Sequence, residues 1–438
     1  APEANGVTEV RYDVTWDRET AERSEIHVEM SFRVDHDEPV ALSLPAWTPG
    51  SYELDDFAQN VRSVRARQDG AEIFWDKADH DTWRVHPTGP GRVTLAFDYL
   101  ADALDVGSAW SAPDFAFFNG TNLFPFPEGS GLEFGSEVRI HTEADWGVAT
   151  GLTPDETASM SGASAARAAP GDGEGSDALD TRAYRADGYH ELVDMPTFVG
   201  AFDVDSLRID GRWYRLATYP EGALEGEPRE LLWDQIEAMM PPMAAVTGRI
   251  PWESYTTLLV FDPGLAGGSA LEHANSHLGA YHPQFIGTPI LASITAHEIF
   301  HAWNVKRIRP ADLWPYDYGR RMPTELLWIS EGITDYYADL ALVRGGIVPR
   351  EVFYRMTGQK IGEVSDLQPV ALEDASLSTW IGPRDGTSYV YYPKGSLAGL
   401  LLDILIRDAS DNERSLDDVI ETIYEEAYLQ GRGFTEEE

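Results

Sequence analysis

The run His297-Glu298-Ile299-Phe300-His301 constrains this chain more than any other feature. On an α-helix, residues four apart share a face, so the two imidazoles stand one turn apart and can ligate one metal. Glu298 then leans over the open coordination position. Thr288-Pro289 reads as the helix start, a capping hydroxyl followed by proline at the first helical position. Ile290, Leu291, Ile294, Ile299 and Phe300 supply the apolar periodicity of a buried helix. The alternative is a pair of histidines satisfied within a core. A hydrolytic zinc site uses three protein ligands and one open position, so the fold must deliver a further carboxylate or histidine from another element.

The segment Trp328 to Tyr337 offers that ligand. Glu331 and Asp335 are four apart on a predicted helix, so both face one way. This permits Glu331 to bind the metal while Asp335 accepts the free ring N–H of a ligating histidine and fixes its tautomer. The apolar neighbours Trp328, Ile329, Ile333 and Tyr337 argue against a merely solvated acidic face.

At 438 residues the chain is long enough for two or three domains. Its apolar period switches from two to 3.6 along the way. Val10, Tyr12, Val14 and Trp16 alternate with polar residues, as do Ile26 to Val34 and Val93 to Tyr99, and Asp-Gly, Pro-Gly and Gly-Pro turns separate such strands. From about Tyr219 helices are expected at Pro228 to Ala245, Pro289 to Val305, Thr324 to Val343, Arg350 to Val364 and Lys394 to Ala409, with a strand at Thr256 to Phe261. The fold class is therefore α+β and multidomain. An antiparallel β-sandwich-like domain over residues 1–214 precedes a mostly helical metal-binding domain with one small sheet over 215–438. Thr153 to Asp180, rich in Ser, Ala, Gly and acids, has no periodicity and reads as a surface loop.

Acidic residues outnumber basic ones 74 to 33, for a net charge of -41, and the lysines are Lys77, Lys306, Lys360 and Lys394 alone. That balance argues against nucleic acid and anionic lipid as partners and suits molar salt, which screens self-repulsion. No apolar run of eighteen residues occurs, so no membrane span is expected. The chain has no cysteine, which excludes disulfides, thiolate ligands and thiol nucleophiles and leaves the compartment unread. Ala1 stands in place of an initiator Met. Thr435 to Glu438 spells a capping box with no helix after it, the reading expected of a chain cut from something longer.

Three blocks together resemble the glycyl aminopeptidases among the gluzincin metallopeptidases. They are the zinc helix extended through Ala302-Trp303-Asn304-Val305-Lys306-Arg307-Ile308-Arg309-Pro310, Ser330-Glu331-Gly332, and Gly267-Gly268-Ser269-Ala270-Leu271-Glu272-His273. Trp47-Thr48-Pro49-Gly50-Ser51-Tyr52 extends the likeness to the β domain. The resemblance implies a thermolysin-like catalytic fold and one Zn2+ per chain held by His297, His301 and Glu331, with Glu298 as general base. It also implies a carboxy-terminal PDZ domain, which is not expected within this chain. The chain departs from the family at Asp55 or Asp56, where a basic residue is usual, and in a slightly longer glycine-rich block.

The residue chemistry points the same way. Zinc lowers the pKa of a bound water to about 7, and Glu298 can move that water's proton to a leaving amine. The oxyanion needs another donor. Tyr392 matches the donor position of related aminopeptidases, whereas Tyr389 and Tyr391 read equally as packing and as site residues. Glu272 resembles the exopeptidase glutamate of related enzymes and is the candidate anchor for a substrate α-ammonium. Gly268 lets a peptide backbone lie close, and Tyr391 is a further candidate substrate contact. His273 and His277 could instead form a second metal site. The arginines of Lys306 to Arg309 are expected to brace the loop between His301 and Glu331. The expected activity is removal of a small amino-terminal residue, Gly or Ala, from a peptide with a free amino terminus. The rival readings are a zinc endopeptidase and a peptide-binding or chaperone-like module with a structural zinc.

Overall fold

The computed structural model describes residues 6–155 and 179–438, so most of the Thr153–Asp180 stretch lies outside the described residues. Its ends are strands, Thr153–Pro154 pairing with Asp180–Ala186. The chain divides into two compact units, residues 1–48 with 55–202, and residues 49–54 with 203–438. The division falls at Phe202–Asp203, twelve residues before the expected boundary at 214. The reason is pairing: Asp203–Ile209 and Arg212–Tyr219 form a hairpin whose second strand joins Ser254–Phe261 in the second unit's sheet.

In the first unit the alternating residues behave as their period demands. Tyr12, Val14, Trp16, Ile26, Val28, Met30, Phe32, Val93, Leu95, Phe97 and Tyr99 are all buried. They lie on the central strands of an eight-stranded sheet, where Glu25–Val34 runs antiparallel to both Thr8–Trp16 and Gly91–Leu100. Two four-stranded sheets complete the unit. The expectation of a purely antiparallel domain needs one correction, since Thr8–Trp16 pairs parallel with Ser136–Thr142.

The second unit is built on a five-stranded mixed sheet in the order Asp203–Ile209, Arg212–Tyr219, Ser254–Phe261, Ser276–Tyr281, Gly268–Glu272. The parallel pair Arg212–Tyr219 and Ser254–Phe261 is joined through helix Glu227–Thr247, as a parallel connection requires. Among the described residues, Gly268–Glu272 is the edge strand, hydrogen-bonded to Ser276–Tyr281 on one side only. Helices Arg350–Ser365 and Tyr391–Ala409 follow the expected segments closely.

Helix Pro289–His301 begins as the sequence predicts, with Thr288 Oγ1 accepting from Leu291 N at 3.4 Å. It stops four residues short of the expected Val305, because Ala302 N and Trp303 N tighten onto the carbonyls three residues back, Ile299 and Phe300. Among the described residues, no helix is long and apolar enough to cross a membrane.

The expected helix from Thr324 starts only at Trp328, as a π-helical turn Trp328–Ile333 that passes into α-helix Thr334–Arg344. Helix Tyr391–Ala409 crosses this turn at two glycines. A Cβ on Gly332 would stand 2.5 Å from Gly395 Cα, and one on Gly395 would stand 2.8 Å from Trp328 O. The crossing places Tyr391 and Tyr392 beside the Ser330-Glu331-Gly332 turn. Gly332→Ala is expected to destabilise the protein by about 1–3 kcal/mol through overpacking. The check is a lower urea midpoint at unchanged slope; a wild-type midpoint would show that the two backbones part freely.

Candidate functional site

The last turn of helix Pro289–His301 and the π-helical turn face each other. His297 Nε2 and His301 Nε2 are 2.8 Å apart, and Glu331 Oε2 lies 3.5 Å from the first and 3.2 Å from the second. His301 Nδ1 is 2.7 Å from the Asn304 carbonyl, which can only accept, so Nδ1 carries a proton and Nε2 is the nitrogen left to bind a metal. Three ligand atoms thus converge within 4.8 Å of one another. Two imidazole nitrogens and one carboxylate oxygen are the donor set a zinc ion prefers, so the residues fit that metal.

A second group, Glu272, Glu298 and His301, also converges within 4.8 Å. The two groups share His301. Among the described residues, no protein atom hydrogen-bonds Glu298 Oε2 or Glu272 Oε1, although both side chains are buried. Burial, with Glu272 and Glu331 nearby, pushes the Glu298 carboxyl up to about 8, against the opposing pull of His301. Burial also disfavours the His301 cation, but the carboxylates of Glu331 and Glu272 outweigh it and lift that imidazole to about 10. For Glu331, burial raises the pKa while the charge of His301 and hydrogen bonds from His297 and His301 hold it well below the usual carboxylate range. The buried carboxylates thus hold a proton on His301, and a metal ion can take the place of that imidazole proton.

Asn304 fastens the two ligand elements together. Its Nδ2 donates to the carbonyls of Ile329 and Ser330 at 2.8 and 3.3 Å and to Thr334 Oγ1 at 3.0 Å. Trp303 is fully buried, donating to Arg249 O at 2.9 Å. Arg307 and Arg309 brace the following loop through backbone carbonyls. Arg307 reaches Ala274, Ala302 and Pro251, and Arg309 reaches Val305 and Lys306 while stacking 3.8 Å over Tyr316.

Several residues stand differently from their expected places. Asp335 Oδ1 is 3.9 Å from His297 Nδ1, too long for a hydrogen bond, and Asp335 Oδ2 instead pairs with Lys360 at 2.6 Å. Lys360 also holds Asp339 at 2.7 Å and Ser396 at 2.8 Å. Glu272, the candidate ammonium anchor, already has a cation nearby, since the buried Lys306 Nζ lies 3.8 Å from its Oε1. Sequence reasoning missed both lysines in these roles; their rarity in so acidic a chain was the signal available.

His273 lies in the turn of the Gly268–Tyr281 hairpin and His277 on its second strand, opposite Glu272, so neither is on a helix. Burial drives the His277 cation down to about 3, and Tyr255 hydroxyl is 3.1 Å from its Nδ1. Among the described residues, neither histidine joins a third ligand.

Tyr392 stacks on His297, ring centroids 6.0 Å apart. Burial and the neighbouring carboxylates raise its pKa, so it remains a phenol able to donate. Tyr391 is buried, whereas Tyr389 is largely exposed. An apolar cavity of about 490 Å³ opens beside Tyr392, with Leu367, Val390 and Glu363 among its lining. Gly268 lies on the edge strand, where a Cβ would stand 2.3 Å from the Tyr281 ring.

Comparison with known proteins gives a consistent picture. Residues 11–201 match the peptidase M61 N-terminal domain, and residues 291–398 match the M61 glycyl aminopeptidase domain. No curated protein sequence matches significantly. Among solved structures, an aminopeptidase N family protein from Idiomarina loihiensis superimposes with a TM-score of 0.85 at 23% identity, over 98% of this chain and 72% of that one. The M1 zinc metallopeptidase of Deinococcus radiodurans, in a mutant form bound to the substrate Tyr-Ser-Ala, gives 0.58 at 16% identity, over 98% and 88%. Native leukotriene A4 hydrolase from Saccharomyces cerevisiae gives 0.57 at 12%, over 98% and 63%. With both of its matched regions assigned to one family and its donor residues gathered at one point, the chain belongs to the M61 glycyl aminopeptidase family of peptidases.

Proposed function

We propose that the chain is a zinc-dependent aminopeptidase that removes a small residue, Gly or Ala, from the free amino terminus of a peptide. The observation that carries this reading is the convergence of His297, His301 and Glu331 with two further buried carboxylates, Glu298 and Glu272, beside them. In this reading His297, His301 and Glu331 hold the metal. One zinc binds per chain, because the two candidate triads share His301. Bound there, zinc supplies a Lewis acid that polarises the scissile carbonyl and acidifies a water.

The protein's own groups do the rest. Glu298, buried with its Oε2 unengaged by any described protein donor, takes a proton from the attacking water and returns it to the leaving amine. Tyr392 donates its phenolic hydrogen to the developing oxyanion. The unpaired edge of strand Gly268–Glu272 can hydrogen-bond an extended peptide, which would run its amino terminus toward Glu272. Tyr391 and the apolar cavity beside Tyr392 border the path of the remaining peptide.

Glu272 Oε1 accepts no hydrogen bond from the protein and is the anchor for the ammonium. Asp335 steadies His297 from ion-pair distance. The small-residue preference is supported by crowding around Glu272, since a Cβ on Gly50 would stand 2.6 Å from its Oε2. One observation favours the endopeptidase alternative: Lys306, 3.8 Å from Glu272, already offsets part of the charge an ammonium would seek.

Release of glycine from a Gly-Phe amide, measured beside its N-acetylated twin in molar KCl with zinc, separates the two. The expected result is cleavage of the free amine only, and equal cleavage of both makes the protein an endopeptidase. Glu272→Gln is expected to raise KM for the free-amine substrate; an unchanged KM removes the anchor. Glu298→Gln should lower kcat by about 10²–10⁴-fold at unchanged zinc content, and wild-type turnover in that variant would exclude Glu298 as the base. Adaptation of this acidic chain to high salt is likewise a proposal. It requires the melting temperature to climb as KCl rises from 0.1 M to molar levels, and a flat profile refutes it.

A further inference from the structure

Of the block Trp47-Thr48-Pro49-Gly50-Ser51-Tyr52 only Gly50 enters the reading above, yet residues 49–54 all belong to the second compact unit. Tyr52 is only 3% exposed, and its hydroxyl donates to Glu331 Oε1 at 2.7 Å. The other carboxylate oxygen, Oε2, is the one that faces His297 and His301. The two oxygens of Glu331 are therefore given separate tasks.

The loop accepts a strained backbone to achieve this. Tyr52 has φ +54°, in the left-handed region that a residue with a Cβ rarely adopts, and such a conformation persists only where its surroundings fix it. Those surroundings are visible. Lys306 Nζ donates to the Pro49 carbonyl at 3.3 Å, and the Tyr52 ring meets Trp380 edge-on with centroids 6.2 Å apart.

A carboxylate with both oxygens free can chelate a cation through both and so occupy the coordination position that hydrolysis needs open. A hydrogen bond to one oxygen stops the group rotating and weakens that oxygen as a donor. We propose that Tyr52 is a positioning residue that restricts Glu331 to one-oxygen ligation and so preserves the open coordination position. The proposal rests on the zinc-peptidase reading.

Tyr52→Phe removes the hydroxyl and keeps the ring. Three quantities are compared with wild type: the zinc dissociation constant of the metal-stripped protein, by competition with a chromophoric chelator; kcat on the Gly-Phe amide; and the melting temperature of the stripped protein. Zinc affinity is expected to fall by about 10–100-fold and kcat to fall with it, while the stripped protein melts as wild type. In a Glu331→Ala background, Tyr52→Phe is expected to cause no further loss of zinc affinity, because its effect passes through that carboxylate.

Wild-type affinity and kcat in Tyr52→Phe overturn the proposal, as does an equal loss of affinity in both backgrounds. A lower melting temperature of the stripped protein with unchanged affinity also overturns it, since the hydroxyl then serves the fold alone. If the wild-type protein itself binds no zinc, the underlying reading fails first, and the chelator titration shows which of the two has failed.

Discussion

Three carboxylates, Glu272, Glu298 and Glu331, are buried around one imidazole, and the second unit is organised around making that arrangement tolerable. Buried charge is costly unless it is paired or hydrogen-bonded. Each carboxylate meets the cost differently. Glu331 leans on His297, His301 and Tyr52. Glu272 has Lys306 at ion-pair distance. Among the described residues Glu298 has no hydrogen-bond donor at Oε2, and burial, with Glu272 and Glu331 nearby, raises its proton affinity.

Holding these groups in place falls to backbone geometry more than to charge pairs. The helix with the two histidines ends at His301, and the chain turns so that the Asn304 carbonyl meets His301 Nδ1. The Asn304 side chain then reaches across to the turn that carries Glu331. That turn is π-helical, a rare conformation found often at functional sites. The glycine pair Gly332 and Gly395 admits helix Tyr391–Ala409 against it and so brings Tyr392 over His297.

The use of lysine is the clearest link between composition and site. Four lysines remain in a chain with 74 acidic residues. Lys306 sits with Glu272 and the Pro49 carbonyl, Lys360 with Asp335 and Asp339, and Lys394 with the Val370 carbonyl. Three of the four thus serve buried or half-buried partners in the second unit. Where the chain retains an ammonium, a flexible stem and a compact charge reach a position that the planar arginine fork suits less well. The arginines of the same region instead spread their donors over several carbonyls.

The sequence by itself determined what depends on local periodicity and residue chemistry. The helix start at Thr288-Pro289, the pairing of His297 with His301, the buried strands of the first unit and the resemblance to the family all follow from neighbours in the chain. Glu331 was legible as well, because it lies beside a recognisable apolar pattern. Tertiary structure alone decided which charges meet. Tyr52 precedes Glu331 by 279 positions, and Lys306 folds back on Glu272 from the far side of the histidine helix. Asp335 lies at the right spacing for His297 yet is held by Lys360. Spacing fixes which face of a helix a side chain occupies, but the partner on that face arrives from another element. Its arrival is set by the packing of the whole unit, which no local pattern encodes.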